Sequence, residues 1–462
     1  MTSQNAVTSK HPWVVLATTI LASSLAFIDS SVVNVALPAV ARDLSASADG
    51  LQWTVNAYLL PLSAVMLFGG AAGDRFGRRR LLLLGTTLFA IASLGCALAP
   101  NLSSLLAARF LQGVGGALLM PNSLAILGQT FTGEAKGRAV GIWAAASAIA
   151  SALGPVLGGW LVDLAGWRYI FLINIPVAAL AMVLATRYVS ESATRPDNAL
   201  DVLGATLATI GLGTLTWGLT LAGEPRPGQF TLMSALILGA VSVIAVFIMI
   251  EKHRGDRALV PLEIFATAPV VGLNLVTLLL YGALGALVVL LPYVLIEALG
   301  YSATRAAAAM LPLPVVAALL SPPAGSLAER VGARIMITFG AVAMGLGVLL
   351  MVRISPGVTY WKGTLPAVLM VSIGLSAAVA PITAAVLGEV DARFTGVASA
   401  LNTATARVGG LLATSVVGSV FAAHGADATD PFHRMMLIFA GVSLAAALIA
   451  VTFLRGRSRT VA

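Results

Sequence analysis

The chain has 462 residues, of which 58% are hydrophobic and only 10% charged, with a mean hydropathy of +0.95. A soluble protein carries about 25% charged residues, so this composition belongs to a chain whose solvent is lipid. The net charge of +8 does not point to nucleic acid, because the basic residues sit in short clusters between apolar runs, where membrane topology accounts for them.

A transmembrane helix needs about 20 apolar residues. By that measure the sequence predicts fourteen spans, at about 13–37, 51–72, 81–99, 104–128, 139–162, 168–189, 202–222, 230–250, 268–297, 305–327, 332–352, 363–388, 395–421 and 434–454. The first run is too long for the apolar core of a signal peptide and reads as a span. The runs are continuous rather than alternating, which excludes a β-barrel. The single cysteine, Cys96, permits no intrachain disulfide. His11, His253, His424 and His433 fall in or near loops and share no helix face with other ligand types, so no metal site and no cofactor is expected.

Lysine and arginine set the orientation. With the N-terminus and the even-numbered loops on one side, that side holds eighteen of the 27 basic residues and the other holds seven. Both termini are therefore expected in the cytoplasm.

Two stretches recur. GDRFGRRRLLLLG (Gly73–Gly85) is matched by AERVGARIMITFG (Ala328–Gly340), and MPNSLAILG (Met120–Gly128) by APITAAVLG (Ala380–Gly388), both at an offset of about 255–260 residues. Six spans occupy only about 180 residues. The excess matches the segment holding spans 7 and 8. The predicted domain plan is thus a six-helix bundle (1–189), a linker with two inserted transmembrane helices (190–266) and a second six-helix bundle (267–462). The inserted pair lacks interior charge and reads as peripheral.

Asp29 and Arg109 are ionisable residues inside spans of the first bundle. A charge at mid-helix costs roughly 2.5–3.5 kcal/mol on insertion scales, so each needs a partner or a cavity. Asp29 lies about eight residues (roughly 12 Å) and Arg109 about five residues (roughly 8 Å) below the same membrane face, so the two can pair. Burial favours the neutral carboxylic acid, whereas a nearby arginine favours the carboxylate. A motion that altered this balance would couple to protons; a static pair that fixes packing is the competing reading. The positions about 260 residues later, Val289 and Leu369, are apolar, which confines this chemistry to the first bundle.

Other positions carry weaker signals. Gly154 and Gly158 form a G-x-x-x-G beside Gly159, with Pro155 permitting a bend; span 10 is the expected partner. Asn34, Asn56, Tyr58, Gln112, Asn274, Tyr281 and Asn402 are candidate cavity residues, and helix packing is the alternative for each. Arg407, within span 13, either neutralises substrate or binds a helix end.

The motifs IDSSVVNVALP in span 1, GDRFGRRR after span 2, RFLQGVGGA in span 4 and ALGPVLGGW in span 5 resemble those of the fourteen-span drug–proton antiporters of the major facilitator superfamily. The resemblance covers essentially the whole chain. It implies an all-α fold of two six-helix bundles, a proton-coupling role for Asp29 and Arg109, and an exporter motif at Gly154, Pro155, Gly158 and Gly159. It also implies a cytoplasmic gate at Gly73, Asp74, Arg75, Gly77 and Arg78, with Asp74 meeting the N-terminus of span 13. A helix N-terminus carries about half a positive charge, so that pairing is physically sensible.

The expected function is proton-coupled export of hydrophobic or cationic small molecules, drugs or antibiotics, by alternating access. The expected location is the cytoplasmic membrane of a bacterium, as a monomer. The alternative is a dedicated exporter of one metabolite or a self-made antibiotic. An enzyme is not expected, because no nucleophile, base or metal set clusters. A receptor is disfavoured by connecting loops shorter than about 20 residues, and ATP-driven transport by the lack of a G-x-x-x-x-G-K-[ST] loop. The topology predicts that a C-terminal reporter active only outside the cytoplasm stays silent; activity from it contradicts both the orientation and the even span count.

Overall fold

In lipid every backbone N–H and C=O must be satisfied within the chain, and the apolar runs achieve this as helices. The computed structural model describes residues 11–131, 133–191, 201–223, 228–254, 267–390, 395–423 and 425–454. The first bundle contains α1 (Pro12–Leu44), α2 (Ala48–Phe76), α3 (Arg78–Ala97), α4 (Leu102–Thr130), α5 (Gly133–Ala165), α6 (Tyr169–Leu172) and α7 (Asn174–Tyr188). A pair follows, α8 (Val202–Gly223) and α9 (Phe230–Arg254). The second bundle contains α10 (Ala268–Glu297), α11 (Ala303–Ala309), α12 (Pro312–Val331), α13 (Ala333–Leu350), α14 (Thr364–Gly388), α15 (Thr395–Thr414), α16 (Gly418–Phe421) and α17 (Thr429–Phe453).

Among the described residues, 11 helical segments are long and apolar enough to cross a membrane, or 12 if the bent α2 counts as one. The expected fourteen would also require α5 and α15. Both are helices, but α15 carries Asn402, Arg407 and several threonines, and its stretch is correspondingly less apolar. Several helices exceed their expected limits by one or two turns, because hydropathy marks the apolar stretch and not where the helical hydrogen bonds end. Three expected spans are broken. In the sixth, Pro176 cannot donate to the Leu172 carbonyl, and the helix divides at Ile173. In the tenth, Pro312 and Pro314 do the same to Ala308 and Met310. The thirteenth ends at Thr414 and resumes briefly at Gly418.

α8 and α9 pack on each other, and α8 lies against α2. Only Ala240 and Glu251 of α9 are buried, so its apolar surface faces outward. The pair is tied at one end by Asp201, which accepts from the Gly204 N–H at 2.6 Å and pairs with Arg254. Lys10, Arg195, Arg226, Arg257, Arg393, Arg455, Arg457 and Arg459, which enter the charge count, lie outside the described residues, as does much of the linker around α8 and α9.

The internal repeat has a structural counterpart at each matched position. Gly77 (φ 105°) ends α2 and Gly332 (φ 97°) ends α12, each donating its N–H back at 2.9 Å, to Gly73 and to Ala328 respectively. This left-handed backbone suits glycine because it has no Cβ to clash. Eight residues on, Gly85 and Gly340 bring neighbouring backbones into contact. A Cβ at Gly85 would lie 2.8 Å from the Gly115 carbonyl oxygen, and one at Gly340 would lie 2.7 Å from that of Gly374. Pro121 and Pro381 lie inside α4 and α14.

Between the bundles, the described polar contacts gather toward the face reached by the C-terminal end of α1. Asn56 on α2 accepts from Thr414 Oγ1 at 2.5 Å and donates to Ser415 Oγ at 3.2 Å. Asp163 on α5 accepts from the Ala303 and Thr304 N–H groups at 3.2 and 3.0 Å and from Thr304 Oγ1 at 2.6 Å. Arg42 meets Glu297 at 3.1 Å, but with an exposed guanidinium this pair contributes little.

The glycine contacts predict that Gly85→Val and Gly340→Val each destabilise the purified protein by about 1–3 kcal/mol through overpacking. Gly441→Val, where an added Cβ meets nothing within 4 Å, should leave the melting temperature nearly unchanged. Thermal unfolding in detergent checks the comparison; equal melting temperatures for all three variants contradict it.

Candidate functional site

The interior of the first bundle holds a cluster of buried polar side chains centred on two charges. Its centre is the ion pair between Asp29 on α1 and Arg109 on α4, with Arg109 Nη1 2.5 Å from Asp29 Oδ2 and side-chain exposures of 0% and 1%. Gln112, one turn along α4 from Arg109, bridges the two. Its Oε1 accepts from Arg109 Nη1 at 2.7 Å and its Nε2 donates to Asp29 Oδ1 at 2.8 Å. Asn174 Nδ2, at the start of α7, donates to Asp29 Oδ1 at 3.4 Å and to Ser93 Oγ at 2.9 Å. Ser93 on α3 also accepts from Gln112 at 3.1 Å and donates to the Phe171 carbonyl at 3.1 Å.

Arg109 is held from a third side by α2. Its Nε donates to the Thr54 carbonyl at 3.2 Å, and its guanidinium lies 4.3 Å from the centre of the Tyr58 ring. The phenol of Tyr58 donates to the Ala26 carbonyl at 3.1 Å. The cluster is charge-neutral and joins five of the six spans of the first bundle. Such an arrangement can hold a proton or an ion pair in a dry site and can exchange between the two only if water reaches it.

The other sequence-predicted residues fall into separate groups. Gln112, read as a cavity residue, is instead part of the buried cluster. Asn56 is an interbundle contact. Asn402 donates to Thr277 Oγ1 at 2.8 Å, and Asn274 accepts from Thr405 at 3.3 Å, so both join α15 to α10 inside the second bundle. Asn34 is buried, and its Oδ1 has no partner among the described residues. Arg407 reaches from α15 to Met120 on α4, with Nη2 3.6 Å from the thioether sulfur, and its ionisable neighbours are Tyr58 and Tyr281.

The glycines of α5 depart from expectation. Gly154 and Gly158, four residues apart on one helical face, pack against Ser31, Ile28 and Val32 of α1. Only Gly159, about 100° further round the helix, faces span 10, where a Cβ would lie 2.6 Å from the Ala303 carbonyl. The motif therefore joins α5 chiefly to its own bundle.

In the loop motif, Arg78 donates from Nε and Nη2 to Asp74 Oδ1 at 2.9 and 2.7 Å and from Nη1 to the Ala125 carbonyl at 2.9 Å. Gly73 lies against Asn122 of α4, leaving no room for a side chain. Glu191 accepts from the Arg79 and Arg80 N–H groups at 3.1 and 3.2 Å, placing an anion at the α3 N-terminus, where the helix dipole favours one. Residues 391–394, preceding the α15 N-terminus expected to meet Asp74, lie outside the described residues.

Sequence reasoning missed Ser93, Asn174, Asp163 and Glu191. Asn174 had a legible signal, an amide within an apolar run at a depth close to that of Asp29. Ser93 had none, because serine is common in membrane helices as packing glue.

The model of the Major Facilitator Superfamily matches residues 19–414 and again 273–461. "Multidrug resistance protein Stp" of Mycobacterium tuberculosis is 32% identical over 88% of this chain and 75% of its own length. "Methylenomycin A resistance protein" of Bacillus subtilis is 32% identical over 95% of this chain and 93% of its own. A solved structure of peptide transporter POT in complex with sulfate is similar in fold, with a TM-score of 0.67 at 16% identity, covering 96% of this chain and 94% of that one. The chain belongs to the Major Facilitator Superfamily. It is a multi-pass membrane protein of a superfamily of small-molecule transporters, and its relatives include multidrug and antibiotic resistance proteins.

Breaking a buried ion pair from one side leaves an uncompensated charge and costs about 3–5 kcal/mol. Arg109→Gln is therefore expected to lower the thermal stability of the purified protein strongly. Asp29→Asn combined with Arg109→Gln should recover a substantial part of the loss. A melting-temperature cycle over wild type, single and double variants checks this; purely additive losses contradict a direct coupling.

Proposed function

We propose that the protein is a proton-coupled antiporter that exports hydrophobic small molecules across the cytoplasmic membrane of a bacterium by alternating access. The observation that carries the proposal is the fully buried Asp29–Arg109 pair, which among the described residues has no counterpart in the second bundle. A membrane protein retains a costly buried carboxylate where it performs work, and this one has an arginine to compensate its charge after the proton leaves. Resistance functions named for relatives at 32% identity support export of drugs or antibiotics over uptake of nutrients. A dedicated exporter of a single antibiotic stands as the alternative, supported by the methylenomycin A resistance relative.

Residues 1–189 and 267–462 form the two bundles, residues 190–266 carry the inserted pair, and α5 and α15 complete fourteen spans with both termini in the cytoplasm. The chain acts as a monomer. α2 couples the bundles to the ion pair: Asn56 bonds to Thr414 and Ser415 across the interface, while Thr54 and Tyr58 of the same helix hold Arg109. Rocking that breaks the Asn56 contacts shifts the groups that hold Arg109 and opens Asp29 to water. At the other end of α2, Gly73, Asp74, Arg75, Gly77 and Arg78 form the gate, with Arg78 releasing Asp74 when the α15 N-terminus arrives.

The test is transport of a confirmed substrate into inside-out vesicles across an imposed pH gradient. Asp29→Asn should abolish uphill accumulation and leave downhill exchange partly intact, because binding and rocking do not require the proton. Accumulation at the wild-type rate by this variant overturns the coupling role. Gly73→Leu should slow transport at unchanged membrane insertion, since its side chain drives α2 from α4; a normal rate overturns the role given to that end of α2.

A further inference from the structure

Arg407 is a cation between the bundles without a counter-charge among the described residues. Asn402, Thr405 and Gly409 hold one face of α15 against α10. Arg407 lies about 200° round the helix from Gly409, which turns it away from α10 and toward α4 of the first bundle. There its Nη2 meets only the thioether of Met120 at 3.6 Å, a weak acceptor, and its Nε has no partner among the described residues. Among the described residues no carboxylate pairs with it. Its ionisable neighbours are two phenols, Tyr58 and Tyr281. Tyr58 spends its hydroxyl on Ala26, whereas that of Tyr281 makes no hydrogen bond among the described residues.

Asp29, the carboxyl group of the first bundle's interior, is already paired with Arg109. Arg407 and Tyr281 therefore present hydrogen-bond donors and positive charge to the space between the bundles, against the apolar walls of Met120 and Tyr58. A guanidinium kept in the membrane interior without an acid is costly; a ligand that supplies the acid removes that cost. Its planar fork matches a carboxylate in two-point contact.

We infer that Arg407, assisted by Tyr281, is an anion-binding site of the substrate cavity, and that the preferred substrates are amphiphiles with one carboxylate on an apolar body. This deepens the exporter reading and rests on it. It also replaces the cationic substrates that the sequence suggested, for which no acidic partner faces the cavity among the described residues.

The test uses the full-length protein in phosphatidylcholine nanodiscs and three matched fluorescent probes: pyrenebutyrate, its methyl ester and the pyrenebutyl trimethylammonium cation. Wild type should bind the carboxylate about 10-fold or more tighter than the ester, as a hydrogen-bonded charge contact allows, and the cation most weakly. Arg407→Gln should bring the carboxylate-to-ester ratio to about 1, Arg407→Lys should keep the order, and Tyr281→Phe should lower the ratio by about 3–10-fold. Tightest binding of the cation, absence of carboxylate binding, or a carboxylate preference that survives Arg407→Gln overturns the inference. Gradient-driven transport in proteoliposomes separates it from the exporter reading. Carboxylate binding without driven export overturns antiport alone; driven export without charge preference overturns the anion site alone.

Discussion

A carboxylate and a guanidinium buried together in a membrane bundle constrain everything packed around them. Removing two charges from water costs several kcal/mol per ion, and their attraction repays this only if the remaining lone pairs and protons are also satisfied. The Asp29–Arg109 pair meets that condition by drawing on five spans. α1 and α4 supply the charges, α4 also supplies Gln112, α3 supplies Ser93, α7 supplies Asn174, and α2 supplies the Thr54 carbonyl and the Tyr58 ring. The first bundle is thereby organised around a polar centre. The second is not: the corresponding position to Asp29 is Val289, a buried apolar residue.

The two bundles nevertheless share a construction. Helix association in lipid gains nothing from the hydrophobic effect and depends on close packing. Both bundles solve this identically at the repeated motif, with a left-handed glycine between helices and a second glycine eight residues on that admits a neighbouring backbone. Symmetric backbones thus enclose an asymmetric interior, with the buried ion pair in the first bundle and Arg407 on a helix of the second.

α2 is where these functions meet. Its Asn56 reaches the second bundle, its Thr54 and Tyr58 grip Arg109, and its last turn carries Asp74 under Arg78. The ring of Tyr58 lies 4.3 Å from the Arg109 guanidinium, and Arg407 is a further charged neighbour of the same residue. Tyr58 is thus within electrostatic reach of both arginines, in a medium where such interactions are weakly screened.

Helix existence, membrane character, the repeat and the depth match of Asp29 with Arg109 were legible in the amino-acid sequence, because each depends on composition or on distance along one helix axis. Azimuth was not legible. A helix that is apolar all round carries no record of which side faces a partner, so Gln112 read as a cavity residue and proves to be an arm of the ion-pair network. For the same reason Gly154 and Gly158 read as partners of span 10 and prove to pack on α1. Residues far apart in the chain, such as Asp163 with Thr304 or Glu191 with the α3 N-terminus, meet only once the helices have been placed. One dimension of the chain thus determined what crosses the membrane and how deep its charges lie. Only the tertiary structure decided which charges are neutralised and which, like Arg407, have no acid partner among the described residues, because neutralisation requires the right rotation of two helices at once.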